Sequence, residues 1–343
     1  MESVAKLAGV SKITVSRALR DSESVRPELR EHIREVARAA GYRINVAARN
    51  LRNRRTHTIA VVLENMAVPG RPVADPLVLL LIGGMMEELS SMGYALLLTN
   101  SEQFLKSDGL SADGVIMIGE GEGGLRAREV AGLGIPMVVW GAPLAGARIS
   151  VVGSDNREGG RLAAHHLLEQ GCSQILFLGD TRHPEVAARH EGVRDVLSAT
   201  KANLVASMPC EFTRKGGADA VASALDAGHV FDGVIASSDY IAAGACGLLL
   251  DRGLSVPSDV AVIGYDDNPL AASHRPPLSS IRQDWSEAGQ RLSRTVLKII
   301  DHPTAAAFDQ ILPVQLVVRD TSQRGKSAAP QRKRLKKNSA TRA

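Results

Sequence analysis

From Thr58 onward, short apolar runs alternate with amphipathic stretches of helical length, and this alternation restricts the fold more than any other feature of the 343 residues. Continuous apolar runs separated by helical stretches are the pattern of parallel sheets built from βαβ units. Strands are predicted at 59–63, 95–99, 114–118, 137–140, 174–178, 233–236 and 260–264. Helices are predicted between them at 76–92, 157–170, 190–200, 216–227, 240–252 and 286–301. The expected class is α/β with parallel sheets, and the length allows more than one domain.

The first residues follow a different rule. Val4, Ala5, Ala8, Val10, Val15 and Leu19 suit two short helices broken at Gly9, where a glycine can make the turn. Ser11 is placed to cap the second helix by accepting a backbone N–H, and residues 12–20 then turn polar and basic groups outward. A third helix starts at Pro27, buries Leu29, Ile33, Val36, Ala37 and Ala40, and stops at Gly41. The spacing is that of a helix-turn-helix.

Charge is distributed unevenly along the chain. Residues 1–58 hold 13 Lys/Arg against 6 Asp/Glu, and residues 323–343 hold 8 basic and no acidic residues, so an acidic body lies between basic ends. Basic ends call for a polyanionic partner. The end of the chain, from about Thr321, lacks any apolar period and is expected to be disordered. Three cysteines far apart in sequence suit neither a disulfide framework nor a metal pair and indicate a reducing, cytoplasmic setting. No apolar run is long enough to span a membrane.

Residues 4–19 (VAKLAGVSKITVSRAL), followed by 41–45 (GYRIN) and 47–51 (AARNL), closely resemble the head of the lactose-repressor (LacI) family. The likeness continues through Asp75-Pro76, 113–116 (DGVI), 134–136 (GIP), 235–239 (IASSD), 257–267 and 276–284 (PPLSSIRQD), so it covers nearly everything but the tail. It implies a helix-turn-helix head at 1–44, a hinge helix and linker at 45–57, and an effector-binding core at 58–320, before a basic tail at 321–343. The implied core resembles periplasmic sugar-binding proteins, with one lobe from about 58–153 and 285–311 and another from about 154–282 and 312–320.

The resemblance also assigns roles. Lys12, Ile13 and Arg17 stand at the family's base-reading positions: the two cations can donate to guanine acceptors, and Ile13 can pack on a thymine methyl. Ser11, Thr14, Ser16 and Arg20, with Arg49 and Arg52 of the hinge, are implied phosphate contacts, which orient a protein without reading sequence. Asn45, Ala48 and Leu51 match the hinge helix that enters the minor groove, Leu51 as the wedge between base steps. The implied effector set is Asp75, Leu79, Arg189, Phe212, Ser238, Asp239, Asp266, Gln283 and Trp285. Arginine and carboxylates would hold hydroxyls, and aromatic faces would cover apolar ring surfaces. Without the family, a lone basic residue here reads as a solvated helix face, Leu51 as a buried linker residue and Trp285 as core filler.

These roles together describe a homodimeric repressor of carbohydrate-use genes. It reads a near-palindromic operator under control of a sugar or sugar-acid effector, requires no cofactor or metal, and is free of the membrane. The competing reading is a sugar-processing enzyme or orphan sugar-binding protein with a vestigial head. Residues 119–124 (GEGEGG) formally satisfy a dinucleotide-binding motif, but two glutamates there would repel a pyrophosphate. Four departures from the family pattern stand out. Met1 falls inside the turn that usually precedes the first helix, and Arg26 replaces a Ser/Thr cap. Only residues 100–113 connect two strands that normally have a full crossover helix between them. Gly141 stands where some relatives carry a ligand-binding aspartate.

Overall fold

The computed structural model describes residues 1–19, 21–42, 55–64, 75–107, 111–121, 124–143, 146–304 and 306–324. The chain divides after Thr56 into two compact units. In the first, α1 (Glu2–Leu7), α2 (Lys12–Ala18) and α3 (Pro27–Ala39) enclose a small core of Val4, Ala5, Val15, Ala18, Val25, Ile33 and Ala37. Gly9 takes φ +63° in the turn between α1 and α2. At the end of α3, Gly41 turns left-handed while the N–H groups of Gly41 and Tyr42 donate to the carbonyls of Arg38 and Ala37. This Schellman arrangement satisfies carbonyls the helix would otherwise leave unpaired. Neither Met1 nor Arg26 makes a side-chain cap bond.

In the second unit, β1 (Thr58–Leu63), α4 (Pro76–Ser91), β2 (Ala95–Asn100), α5 (Ser101–Lys106), β3 (Gly114–Ile118), α6 (Leu125–Ala131), β4 (Met137–Trp140) and β5 (Ser150–Ser154) build the first lobe. The second follows with α7 (Asn156–Glu169), β6 (Gln174–Leu178), α8 (Pro184–Ser198), β7 (Asn203–Met208), α9 (Arg214–Asp226), β8 (Gly233–Ala236), α10 (Asp239–Asp251), β9 (Ala261–Asp266), α11 (Pro269–Ser273) and β10 (Ser279–Arg282). The chain then returns to the first lobe as α12 (Trp285–Asp301) and β11 (Asp309–Leu312), and crosses once more as β12 (Gln315–Val317).

The sheet orders are β11-β5-β4-β3-β1-β2 and β12-β10-β9-β8-β6-β7, one order written twice. All pairings are parallel except β10 with β12. Each central strand is buried on both faces. In β1, Ile59, Val61 and Leu63 pack with α4 and α12, while Ala60 and Val62 pack with Phe104 of α5 and Ala127 and Val130 of α6. That double burial is why the central strands read as unbroken apolar runs.

Three helix pairs approach at reciprocal glycines. A Cβ on Gly160 of α7 would lie 1.9 Å from the Arg189 carbonyl oxygen of α8, and one on Gly192 would lie 1.9 Å from that of Arg157. Gly217 and Gly244 repeat this between α9 and α10, at 2.1 and 1.8 Å from the carbonyls of Ile241 and Arg214. Gly84 and Gly289 do so between α4 and α12, at 2.2 and 2.1 Å from those of Ser286 and Leu81. Two of these glycines belong to a motif at the lobe crossings. Asp155 caps α7 and Asp284 caps α12, each accepting from the N–H of a glutamate three residues on, Glu158 and Glu287. Gly160 and Gly289 follow two residues after those glutamates.

The short 100–113 connection carries a six-residue helix, capped by Asn100 through the N–H of Gln103 at 2.8 Å, with Phe104 fully buried beneath it. The tail does not begin at Thr321. Thr321 and Ser322 are fully buried, Thr321 bonds the backbone of Val262 and Ser279, and Ser322 bonds His166 at 2.8 Å. Arg324 donates to the carbonyls of Pro257 at 2.9 Å and Asp232 at 2.7 Å. Hydrogen bonding, which leaves no apolar period, holds this segment to the second lobe. Residues 325–343 lie outside the described residues.

Candidate functional site

In the head, Ser11 caps α2, its Oγ 3.1 Å from the Thr14 N–H and 2.9 Å from the Thr14 hydroxyl. Burying Val15 and Ala18 turns Lys12, Ile13 and Arg17 outward onto one exposed face. Ile13 is 64% exposed, which for an isoleucine is apolar surface left in water. Lys12 forms an exposed ion pair with Glu2 at 3.0 Å, a contact weak enough to be exchanged for a stronger one. Ser16 is half-buried beside this face. Arg20, Asn45, Ala48, Arg49, Leu51 and Arg52 lie outside the described residues.

In the body, the carboxyl ends of both sets of strands face a cavity of about 550 Å³. The first lobe contributes Val78 and Leu81 of α4, Glu64 after β1, residues 118–121 after β3, and Trp140 and Gly141 at the end of β4. The second contributes Asp180–Glu185 after β6, Arg189 of α8 and Pro209–Thr213 after β7. Asp266 lines it at the end of β9, and Gln283 and Trp285 line it at the lobe crossing after β10. Open parallel sheets bind ligands at these strand ends.

Several polar groups here are held in place. The Arg189 guanidinium is buried, donates to Asn156 Oδ1 at 2.8 Å and to the Ser237 carbonyl at 2.6 Å, and lies 3.6 Å above the Tyr265 ring centre. Asp266 accepts from Gln283 Nε2 at 2.6 Å. Trp140 and Trp285 pack with ring centres 5.5 Å apart and planes tilted by 55°, and His183 meets Phe212 edge-on. Asp266 and Asp267 both take positive φ, +99° and +50°, a strained turn that aims the Asp266 carboxylate. Buried Asp239 holds that turn from beneath, accepting from the Asn268 N–H and the Ser280 hydroxyl, each at 2.6 Å. Burial, reinforced by Asp266 nearby, pushes the Asp239 carboxyl well above the usual range.

Of the implied effector residues, Arg189, Phe212, Asp266, Gln283 and Trp285 come together on the cavity wall, while four others do not. Asp75 is buried and caps α4 through the Leu77 N–H at 2.9 Å. Leu79 is 53% exposed, because a helix that turns Val78 and Leu81 inward points the residue after Val78 away. Ser238 caps α10 and is buried, and Asp239 lies under the turn it holds. Sequence reasoning passed over Trp140, Asn156, Glu64, Glu120 and Asp180. Trp140 had a usable signal, as one of two tryptophans and the last residue of a predicted parallel strand.

Glu120 occupies an unexpected place. Gly119 and Gly121 take φ +86° and +73° and fold the loop so that Glu120 is only 8% exposed. Its Oε1 accepts from the Ala142 N–H, and a Cβ on Gly141 would lie 2.1 Å from that same oxygen. The carboxyl therefore fills the space a side chain at 141 would need.

Residues 1–45 match the model of bacterial regulatory proteins, lacI family, and residues 164–322 match that of a periplasmic binding protein-like domain. The chain is 30% identical to the HTH-type transcriptional regulator CelR of Thermobifida fusca, over 94% of this chain and 97% of that protein. The chain belongs to the LacI family. This LacI-family protein is thus a DNA-binding transcriptional regulator and not an enzyme. It is also 30% identical to the ribose operon repressor of Bacillus subtilis, over 94% of this chain and 98% of that one. Among solved structures it is similar to a CelR–cellobiose complex, with TM-score 0.72, 30% identity, and coverage of 94% of this chain and 99% of that one. The lac repressor dimer bound to operator and the anti-inducer ONPF shares the fold, with TM-score 0.80 at 23% identity over 93% of this chain and 97% of that one. In this LacI-family member the Glu120 carboxyl lies beside Gly141.

Proposed function

We propose that the protein is a homodimeric repressor of carbohydrate-use genes in the bacterial cytoplasm, reading a near-palindromic operator with one head per half-site, and that a sugar bound between the lobes releases it. The observation that carries the DNA half is the exposed face of Lys12, Ile13 and Arg17 on a helix capped by Ser11. A helix of this kind fits the major groove, where two cations and one apolar side chain can discriminate base pairs. The cavity, with two tryptophans and hydrogen-bonded Arg189 and Asp266, supports the sugar half, and sugar-operon relatives and the cellobiose-bound neighbour agree with it. Arg49, Arg52 and Arg20 are proposed as phosphate contacts, and Leu51, with Asn45 and Ala48, as the minor-groove element.

The test is to select an operator from random DNA and titrate it by fluorescence anisotropy. Arg17→Ala is expected to weaken operator binding by about 1–3 kcal/mol and to relax preference at one position of each half-site. A selected site bound equally well by the wild type and Arg17→Ala would remove α2 from base reading. For the sugar, a ligand at 100 times its Kd adds about 2.7 kcal/mol of stability, which thermal unfolding detects.

A further inference from the structure

The lining of the cleft is unbalanced in charge. Six carboxyl groups face two arginines among the described lining residues, and both arginines are already engaged. Arg189 spends Nε on Asn156 and Nη1 on the Ser237 carbonyl, with Tyr265 against its face. Arg182 is held by both oxygens of Asp180. At the rim, Arg126 pairs with Glu129 and Glu64, and Glu64 also takes the Ser101 hydroxyl. Glu120 is bound differently: its carboxyl accepts from a neutral backbone N–H, that of Ala142.

We propose that the effector is an uncharged sugar, and that Glu120, seated in the space left by Gly141, is the side chain that turns away the acid and phosphate forms of the same sugars. This rests on the sugar-controlled reading above and narrows it. A neutral sugar offers hydroxyls to Arg189, Asp266 and Gln283 and apolar faces to Trp140 and Trp285 without adding charge. A carboxylate or phosphate would enter a wall already rich in carboxylates, in a cleft where low dielectric magnifies repulsion.

The selectivity is expected to depend on pH. Burial, opposed by the Ala142 N–H and reinforced by Glu185 of the other lobe, pushes the Glu120 carboxyl up to about 7. Glu120 therefore gains its charge between pH 6 and 8, and anions are refused more strongly as pH rises. Glu64, Asp180, Asp266 and the two arginines face the same space, as does His183. A Glu120→Gln variant separates the contribution of Glu120 from theirs.

The experiment is calorimetry on the full-length protein with matched sets: glucose, gluconate and glucose 6-phosphate; ribose, ribonate and ribose 5-phosphate; cellobiose and cellobionate. Each is measured at pH 6 and pH 8, with operator affinity followed in parallel. The expected result is a neutral member bound at least about tenfold more tightly than its acid or phosphate, with the gap wider at pH 8. In Glu120→Gln the gap shrinks, and for the sugar acids, whose own charge is constant between pH 6 and 8, its pH-dependent part disappears. Gly141→Ala, which displaces the carboxyl without removing it, narrows the gap as well. An acid or phosphate that binds more tightly than its neutral parent and shifts operator affinity overturns this inference and leaves the sugar-controlled repressor standing. A gap identical in the wild type and both variants removes Glu120 from the account. If no member binds while operator binding persists, the sugar reading falls and this inference with it.

Discussion

At Asp239 a carboxyl is sealed beneath the turn that aims Asp266, with one oxygen facing the Asn268 N–H and the other the Ser280 hydroxyl. Because burial raises its pKa, the folded chain keeps a proton there that the unfolded chain gives up at ordinary carboxylate pH. The native state then binds more protons than the unfolded state, so this group makes stability fall as pH rises from the ordinary carboxylate value toward the raised one. Asp239→Asn reproduces the protonated acid, since its oxygen can accept from Asn268 and its amide can donate to Ser280, a hydroxyl able to reverse its role. We expect Asp239→Asn to match the wild type at low pH and to exceed it in urea unfolding at pH 8. Asp239→Ala, which leaves two buried donors without an acceptor, is expected to lose about 1–3 kcal/mol and to weaken effector binding. A loss from Asp239→Asn equal to that from Asp239→Ala would mean the carboxyl works ionised. Sequence alone could place this residue in a recognisable motif, but cleft wall and support beneath it are one residue apart in character and indistinguishable in pattern. Arg189 and Trp285 were legible as residues that would reach the cleft, and both line its cavity. Glu120 was not, because its position depends on two left-handed glycines and on an empty place at 141.

Among the elements, the strands readable in advance were the continuous apolar runs, such as β3 and β6, where every position is apolar or nearly so. Those missed are short or carry polar residues: β5 (SVVGS), β7 (NLVASM), β10 (SSIR), β11 (DQIL) and β12 (QLV). Ser279 and Ser280 of β10 are fully buried because hydrogen bonds to Thr321 and Asp239 satisfy them, partners that come from distant sequence. The predicted helix at 190–200 began late, since its first turn at Pro184 has a polar face that no periodicity marks. The reciprocal glycines give a sharper test of element packing. Gly160→Ala would press a methyl onto the Arg189 carbonyl, so α7 and α8 must separate, at a cost of about 1–3 kcal/mol. Arg189 sits on the displaced helix and reaches the cleft from it, so effector affinity should fall along with stability. Gly247→Ala, in an open position on α10, is the control and should lose neither, as calorimetry and thermal unfolding will record.

For the whole molecule, the body does not stop before Thr321 but extends through Arg324 among the described residues. Ending the chain after residue 320 removes Thr321 from Val262 and Ser279, Ser322 from His166, and Arg324 from two carbonyls. At about 1 kcal/mol for each hydrogen bond, that truncation should lower stability by several kcal/mol in denaturant unfolding. Ending it after residue 324 should leave stability unchanged and reduce only the salt dependence of nonspecific DNA binding, since basic residues of 325–343 are lost. Equal stability of the two truncations would return the boundary to Thr321. The three lobe crossings also govern the order in which the protein can be made. The head is assembled from neighbours in sequence and can close as soon as Tyr42 has emerged. The first sheet has to wait for β11, made some 150 residues after its neighbour β5, and the second for β12. Neither sheet is complete before residues 309–317 are made: the edge of β5 waits some 150 residues for β11, whereas that of β10 waits only about 30 for β12. The nascent body, rather than the finished one, is where this chain is most exposed to aggregation.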